Sequence, residues 1–337
     1  MKDKKFLLIK YTLILLSIFG LIFIYNKDNI VSKREIRIAK ENVTKENILS
    51  AANEYITKNN DLFSEYFKSE DMEYRIDTKT LVDNKLISNN DGFIGYVKIK
   101  NDSYEFVNTD KLLLNEIIND KNYVESSHND KKAFDLKYVF TGENPNNYIK
   151  FEDKLYRIIG ITNSNNLKLI SVDNYNNITW GLNNKINWFD GEKLPNETSS
   201  KGIFYVGYVR SETNDIDQII KNEKRNNIYT VGTPTYYGYY AFVNISDIIL
   251  ASNSCQFSNI LDISKDTCNS YLINMLTNTY TSNTLEGESV YKIDKNNKLV
   301  ASTLGDNIMG KKVIFVNGLS KYISGDGSIK NPYIFED

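Results

Sequence analysis

From Phe6 to Tyr25 the chain reads FLLIKYTLILLSIFGLIFIY, with one charge, Lys10, and no proline. A helix of that length spans about 30 Å, the hydrocarbon thickness of a bilayer. Beyond it the apolar positions fall into shorter periods. Ile48, Ala51, Ala52, Tyr55 and Ile56 recur at three- and four-residue steps after Thr44, a residue type that caps helices, and predict an amphipathic helix. Leu81, Val82 and Leu86 give a second short helix over Thr78–Leu86. Phe93, Tyr96, Val97 and Ile99, then Ser103 to Val107, read as two strands joined at Lys100-Asn101-Asp102. Asp110 to Ile118 suits a further helix, and Asn119 to Lys132 is polar, aperiodic and linker-like.

From Phe134 the texture changes to strands and turns. Tyr148–Phe151, Leu155–Ile161 and Leu167–Val172 are apolar runs separated by charged or Asn-rich turns. Ile203–Val209, Tyr236–Val243 and Lys312–Val316 add strands. Helical periodicity is confined to Asp215–Lys224, Ser246–Ala251 and Cys268–Leu276. No repeat of solenoid or propeller length occurs. These patterns predict an α+β chain. Residues 1–26 form an anchor, 27–118 a small α+β module, 119–133 a linker, and 134–337 a coil-rich, strand-dominated domain.

The first stretch reads as an uncleaved anchor. A cleaved signal peptide is the rival, but it would end at small residues spaced like Ala-x-Ala, and here the exit is Phe23-Ile24-Tyr25-Asn26. Lys2, Lys4 and Lys5 precede the span, while Lys27, Lys33, Arg34, Arg37 and Lys40 follow it, so charge alone does not orient it. The expected partner of this segment is the membrane, with lipid headgroups facing the basic run Lys27–Lys40.

Elsewhere 41 Lys and Arg are dispersed among 43 Asp and Glu, a net charge of −2, which gives no footprint for nucleic acid. The 24 tyrosines and 41% hydrophobic content are enough for a packed core.

Chemistry-bearing patterns are sparse. His128 is the single histidine and stands in SSHNDKK, so neither a zinc site nor a Ser-His-Asp arrangement has its parts. Phosphate loops, HExxH and nucleophile elbows do not occur. Glu152-Asp153 has the groups for acid–base work, but solvated turn residues are the commoner reading. Cys255 and Cys268 share one polar loop. Buried thiols are one reading; a local disulfide worth ~3 kcal/mol is the other, and it would place the loop outside the cytoplasm. Asp326-Gly327 signals a turn, without the alternating ligands of a calcium loop. Trp188 beside Asn187, and an alternating pair such as Tyr237 and Tyr239, are the aromatic ligand-contact candidates; Trp180 reads as core. No catalytic residue, cofactor or metal is expected.

Four phrases carry a resemblance: YVFTGENPNNYIKFEDKLYRIIGI (Tyr138–Ile161), ITW (Ile178–Trp180), YYGYYAFVNISDIILAS (Tyr236–Ser252) and SGDGSIKNPYIF (Ser324–Phe335). In this order they resemble surface-exposed domains of low-GC Gram-positive bacteria related to the formylglycine-generating-enzyme-like, C-type-lectin-like family. Tyr156-Arg157 stands where that family has Trp-Arg, and Lys311-Lys312 where it has Arg-Pro. The copper-binding cysteine pair near the C-terminus of the active enzymes is missing, while Cys255 and Cys268 match the family's structural pair. The resemblance implies the fold and long loops suited to binding, not the oxidative chemistry.

The expected function is therefore a single-pass, membrane-anchored protein with its C-terminal domain outside the cell, binding an extracellular glycan or protein as an adhesion domain. The alternative is a minor pilin-like or pseudopilin-like subunit of a surface assembly. An apolar helix running into an amphipathic one favours it; the missing prepilin signature, with Lys5 to Lys10 in its place, opposes it.

Overall fold

The computed structural model describes residues 44–60, 73–88, 94–100, 102–109, 111–119, 124–125, 136–162, 165–178, 206–208, 236–238, 242–255, 262–285, 289–303 and 308–336. The chain divides into two compact units, one of residues 1–58 and 79–92, the other of residues 59–78 and 93–337. Among the described residues no helix is long and apolar enough to cross a membrane. The stretch Phe6–Tyr25 lies outside them.

In the first unit, helix α1 (44–58) forms where the three- and four-residue spacing predicts it. Ile48, Ala51, Ala52 and Ile56 are buried on one stripe, and a Glu54–Lys58 pair at 2.6 Å lies on the exposed side. Helix α2 (Thr78–Asp83) stops three residues short of the predicted Leu86. Its end is a Schellman turn: Lys85 takes φ 58°, Leu86 N–H donates to Leu81 O (2.9 Å) and Lys85 N–H to Val82 O (2.8 Å).

The second unit is strand-rich and of α+β class. Strands β1 (Tyr74–Asp77), β2 (Gly95–Lys100) and β3 (Ser103–Asn108) make an antiparallel sheet. Lys100 pairs with Ser103 across the two-residue turn, and Asp102 in it has φ 58°. Helix α3 (Leu113–Asn119) follows, burying Leu113, Leu114 and Ile117.

The polar stretch expected to be a linker contributes β4 (Val124–Glu125), which pairs with β5 (Leu136–Val139). The same sheet holds β6 (Tyr148–Phe151), β7 (Lys154–Thr162), β8 (Asn166–Ser171) and β16 (Val313–Asn317), in the order β16-β8-β7-β5-β4 with β6 also on β7. All of β8 and most of β7 are buried, which is why they read as apolar runs rather than alternating strands.

A second, five-stranded sheet has the order β14-β13-β12-β15-β9. Its strands are β9 (Tyr175–Ile178), β12 (Thr279–Thr284), β13 (Ser289–Ile293), β14 (Leu299–Thr303) and β15 (Ile308–Gly310). Hairpins β10 (Val206–Tyr208) with β11 (Tyr236–Gly238), and β17 (Lys321–Ser324) with β18 (Ile334–Glu336), complete the strands. Helices α4 (Ile245–Leu250) and α5 (Tyr271–Met275) are short.

Residues on either side of the 119–133 stretch pack together within the second unit. Tyr96, Leu112, Leu113, Leu114 and Ile117 belong to one buried cluster with the strands of the later sheets. Leu113 N–H donates to Ser320 O and Leu114 N–H to Gly318 O, both at 2.9 Å. Arg75 on β1 reaches Ser320 Oγ at 3.1 Å, and its guanidinium lies 4.7 Å from the Tyr96 ring. Residues of β1, β2, β3 and α3 therefore share a core with the sheets formed by the C-terminal two thirds of the chain.

Candidate functional site

Three of the four resemblance-bearing phrases meet at one junction. Its first part is the loop Thr141–Asn147, leaving β5 and entering β6. Asn147 is fully buried; its Nδ2 donates to Ile158 O (2.7 Å) and its Oδ1 accepts from Arg157 Nε (2.7 Å). Arg157 Nη2 also donates to Pro145 O (3.0 Å). Its guanidinium sits between two aromatic faces, 4.4 Å from the Tyr148 ring and 4.3 Å from that of Tyr271. A planar cation with forked donors satisfies this geometry, whereas an ammonium does not. Burial lowers Arg157 from its ordinary value against the attraction of the two tyrosines, and burial raises Tyr271 despite the neighbouring cation.

The closing phrase lies against the same loop. Gly327 has φ 74°, and a Cβ there would stand 2.5 Å from Asn146 O, so the turn needs glycine. Tyr148 N–H donates to Gly327 O (2.7 Å), Tyr333 pairs alongside Tyr148 and Lys150, and Phe335 stacks on Phe151 with centroids 6.0 Å apart. Hydrogen bonds from Ser328 hold the exposed Asp326 below the usual carboxylate range.

The third phrase brings α4. Asn244 and Asp247 form its capping box. Asp247 also binds Lys168 of β8, with Nζ 2.8 and 2.6 Å from the two carboxylate oxygens; the side chains are only 8% and 1% exposed. Ser282 of β12 donates to Asn244 Oδ1, and Asn283 Oδ1 accepts the Ile245 N–H at 2.9 Å. A polar network thus fixes the helix to both large sheets.

Cys255 and Cys268 are joined by a disulfide, with Cα atoms 4.6 Å apart. Gly142 bridges the two legs of that loop: its N–H donates to Ala251 O (3.0 Å) and its carbonyl accepts from Tyr271 N–H (2.8 Å). Next to it Asn269 Nδ2 donates to the exposed Glu143 carboxylate at 2.6 Å.

Lys311, noted in sequence only as a departure from Arg-Pro, is buried and caps the end of β8. Its Nζ donates to Val172 O at 2.5 Å. Burial pushes this ammonium down to about 8 from 10.5, against the pull of Asp173. Because the folded value is the lower one, the charged form is penalised on folding, and this penalty fades as pH rises from about 8 towards 10.5. Stability is expected to rise by about 2 kcal/mol between pH 8 and 10 from this group. Urea unfolding of the parent and of Lys311→Met over that range checks it; an equal rise in both would refute the assignment. Tyr271, raised by burial, acts in the opposite sense above pH 10.

Other sequence expectations fall differently. Glu152 and Asp153 are the exposed turn of the β6–β7 hairpin, with φ 48° and 60°, the mirror-turn geometry, and they face no common site. Tyr237 lies on β11 opposite Gly207. Trp188, Tyr239, Trp180, His128 and the helix expected over Asp215–Lys224 lie outside the described residues. Among the described residues no group of three or more His, Cys, Asp or Glu is placed to hold a metal ion. Sequence reading missed the Lys168–Asp247 pair and the aromatic seat of Arg157. Their signals were a lysine inside the apolar run NLKLIS and an acidic residue three positions after Asn244. Comparison of the chain with family models, with curated proteins and with solved structures found no match.

Proposed function

We propose that this is a membrane-anchored protein whose second unit lies outside the cytoplasm and serves as a non-catalytic ligand-binding or adhesion head. The Cys255–Cys268 disulfide carries the reading, because such bonds persist in oxidising compartments. The apolar stretch Phe6–Tyr25 supports the anchor. Arg157 and the Gly142 hydrogen bonds to Ala251 and Tyr271 tie down the loop Thr141–Asn147 while Glu143 and Asn144 stay exposed, the arrangement of a binding rim on a rigid base. The convergence of three of the four phrases on this rim supports the lectin-like arrangement of strands. Trp188, Tyr237 and Tyr239 are the aromatic contacts we assign to a glycan or protein ligand.

Protease added to intact cells of the source organism is expected to degrade the head without lysis. A maleimide added under denaturing conditions should label neither cysteine until a reductant is supplied. A protected head, or cysteines labelled without reduction, would sink the reading.

A further inference from the structure

The disulfide is built asymmetrically, and the asymmetry bears on its chemistry. Cys268 is 1% exposed within the core cluster, whereas Cys255 is only partly buried at its edge. The two legs are also joined without sulfur. Ser254 Oγ donates to Thr267 O at 2.9 Å, and the Gly142 peptide spans Ala251 and Tyr271. Each leg has its own support: Cys255 N–H donates to Ser252 Oγ (3.3 Å), and Cys268 N–H to Ser264 O (2.8 Å). Opening the S–S bond therefore leaves both sulfurs held near each other. Thr267 Oγ1 lies 3.8 Å from Cys268 Sγ and 2.5 Å from Asp262 O, so its proton can swing from carbonyl to sulfur.

We propose that Cys255–Cys268 is a reversible thiol–disulfide exchange site for low-molecular-weight thiols, entered at Cys255. An incoming thiolate attacks Cys255 Sγ, and the S–S electron pair leaves on Cys268 Sγ, where the Thr267 hydroxyl meets the charge. The product is a mixed disulfide at Cys255 and a thiolate at Cys268. No net oxidation occurs, and the reverse attack by Cys268 on Cys255 Sγ expels the small thiol. Attack requires access to the sulfur that is struck, which selects Cys255. Reclosure is intramolecular and fast because the non-covalent rungs keep the pair together.

The test uses the oxidised full chain, glutathione as the thiol, a maleimide quench and peptide mapping under native conditions. Glutathione is expected on Cys255 in about tenfold excess over Cys268, with the maleimide on Cys268. Removing free glutathione without any oxidant should restore the internal disulfide. In Cys268→Ser, glutathione placed on Cys255 should stay there after the same removal, since the resolving sulfur is gone. Equal or reversed labelling, exchange that requires urea, or a mixed disulfide that persists in the parent would each overturn the proposal.

Discussion

Asp247→Ala is expected to destabilise the second unit by about 3–5 kcal/mol, read as a lower urea midpoint with an unchanged slope. The substitution removes the partner of an ammonium that is itself buried, and an unpaired charge in that position is far costlier than the pair was beneficial. It also deletes the acceptor of the Asn244 N–H, 2.9 Å away, which closes the first turn of α4. Adding Lys168→Met to the same chain should recover a large part of the loss, because the stranded charge goes with it. If the double variant loses the sum of the two single losses, the pair is uncoupled and the network does not fix α4 as described.

Arg157→Ala should cost a similar amount, about 3–5 kcal/mol, and Arg157→Lys about 2 kcal/mol. The guanidinium makes hydrogen bonds to Asn147 and Pro145 while it also lies over two tyrosine rings, 4.4 Å from Tyr148 and 4.3 Å from Tyr271. Lysine can keep the charge but cannot hold both acceptors from between two rings. Amide exchange at Tyr148 and Ile158, whose N–H groups bond Gly327 O and Asn147 O, should accelerate in both variants. A lysine variant as stable and as protected as the parent would show that the forked geometry is not used.

Much of the fold was legible because its signals are local. The stripe of Ile48, Ala51, Ala52 and Ile56, the run Tyr148–Phe151, and the turns at Asp102 and Gly327 depend on residues close in sequence, and each appears where expected. Helix α2 ended early because a lysine took the left-handed conformation usually left to glycine, a choice made by the turn rather than by periodicity. Strands β12 to β15 were invisible for another reason. Thr279, Thr281, Ser282 and Asn283 are buried polar residues, so β12 never looks apolar; Thr281 Oγ1 donates to Tyr291 O and Ser282 Oγ to Asn244 Oδ1. Contacts such as Leu113 with Ser320 were equally hidden, since they have no signature near either residue.

The candidate site was half legible. The phrases containing Asn147, Arg157 and Gly327 stood out, yet composition gives no hint that a guanidinium would lie between Tyr148 and Tyr271, residues far apart along the chain. The disulfide was open between two readings until the backbone brought Cys255 and Cys268 within bonding reach.

The tie between Arg75 and Ser320 joins residues 245 apart. During synthesis at roughly 5–20 residues per second, the first sheet of this unit waits on the order of 10–50 s for the segment against which it docks. A nascent chain in that interval holds its first sheet without the segment that Arg75 ties it to. It is also the period in which its bare apolar strands are most in need of a chaperone.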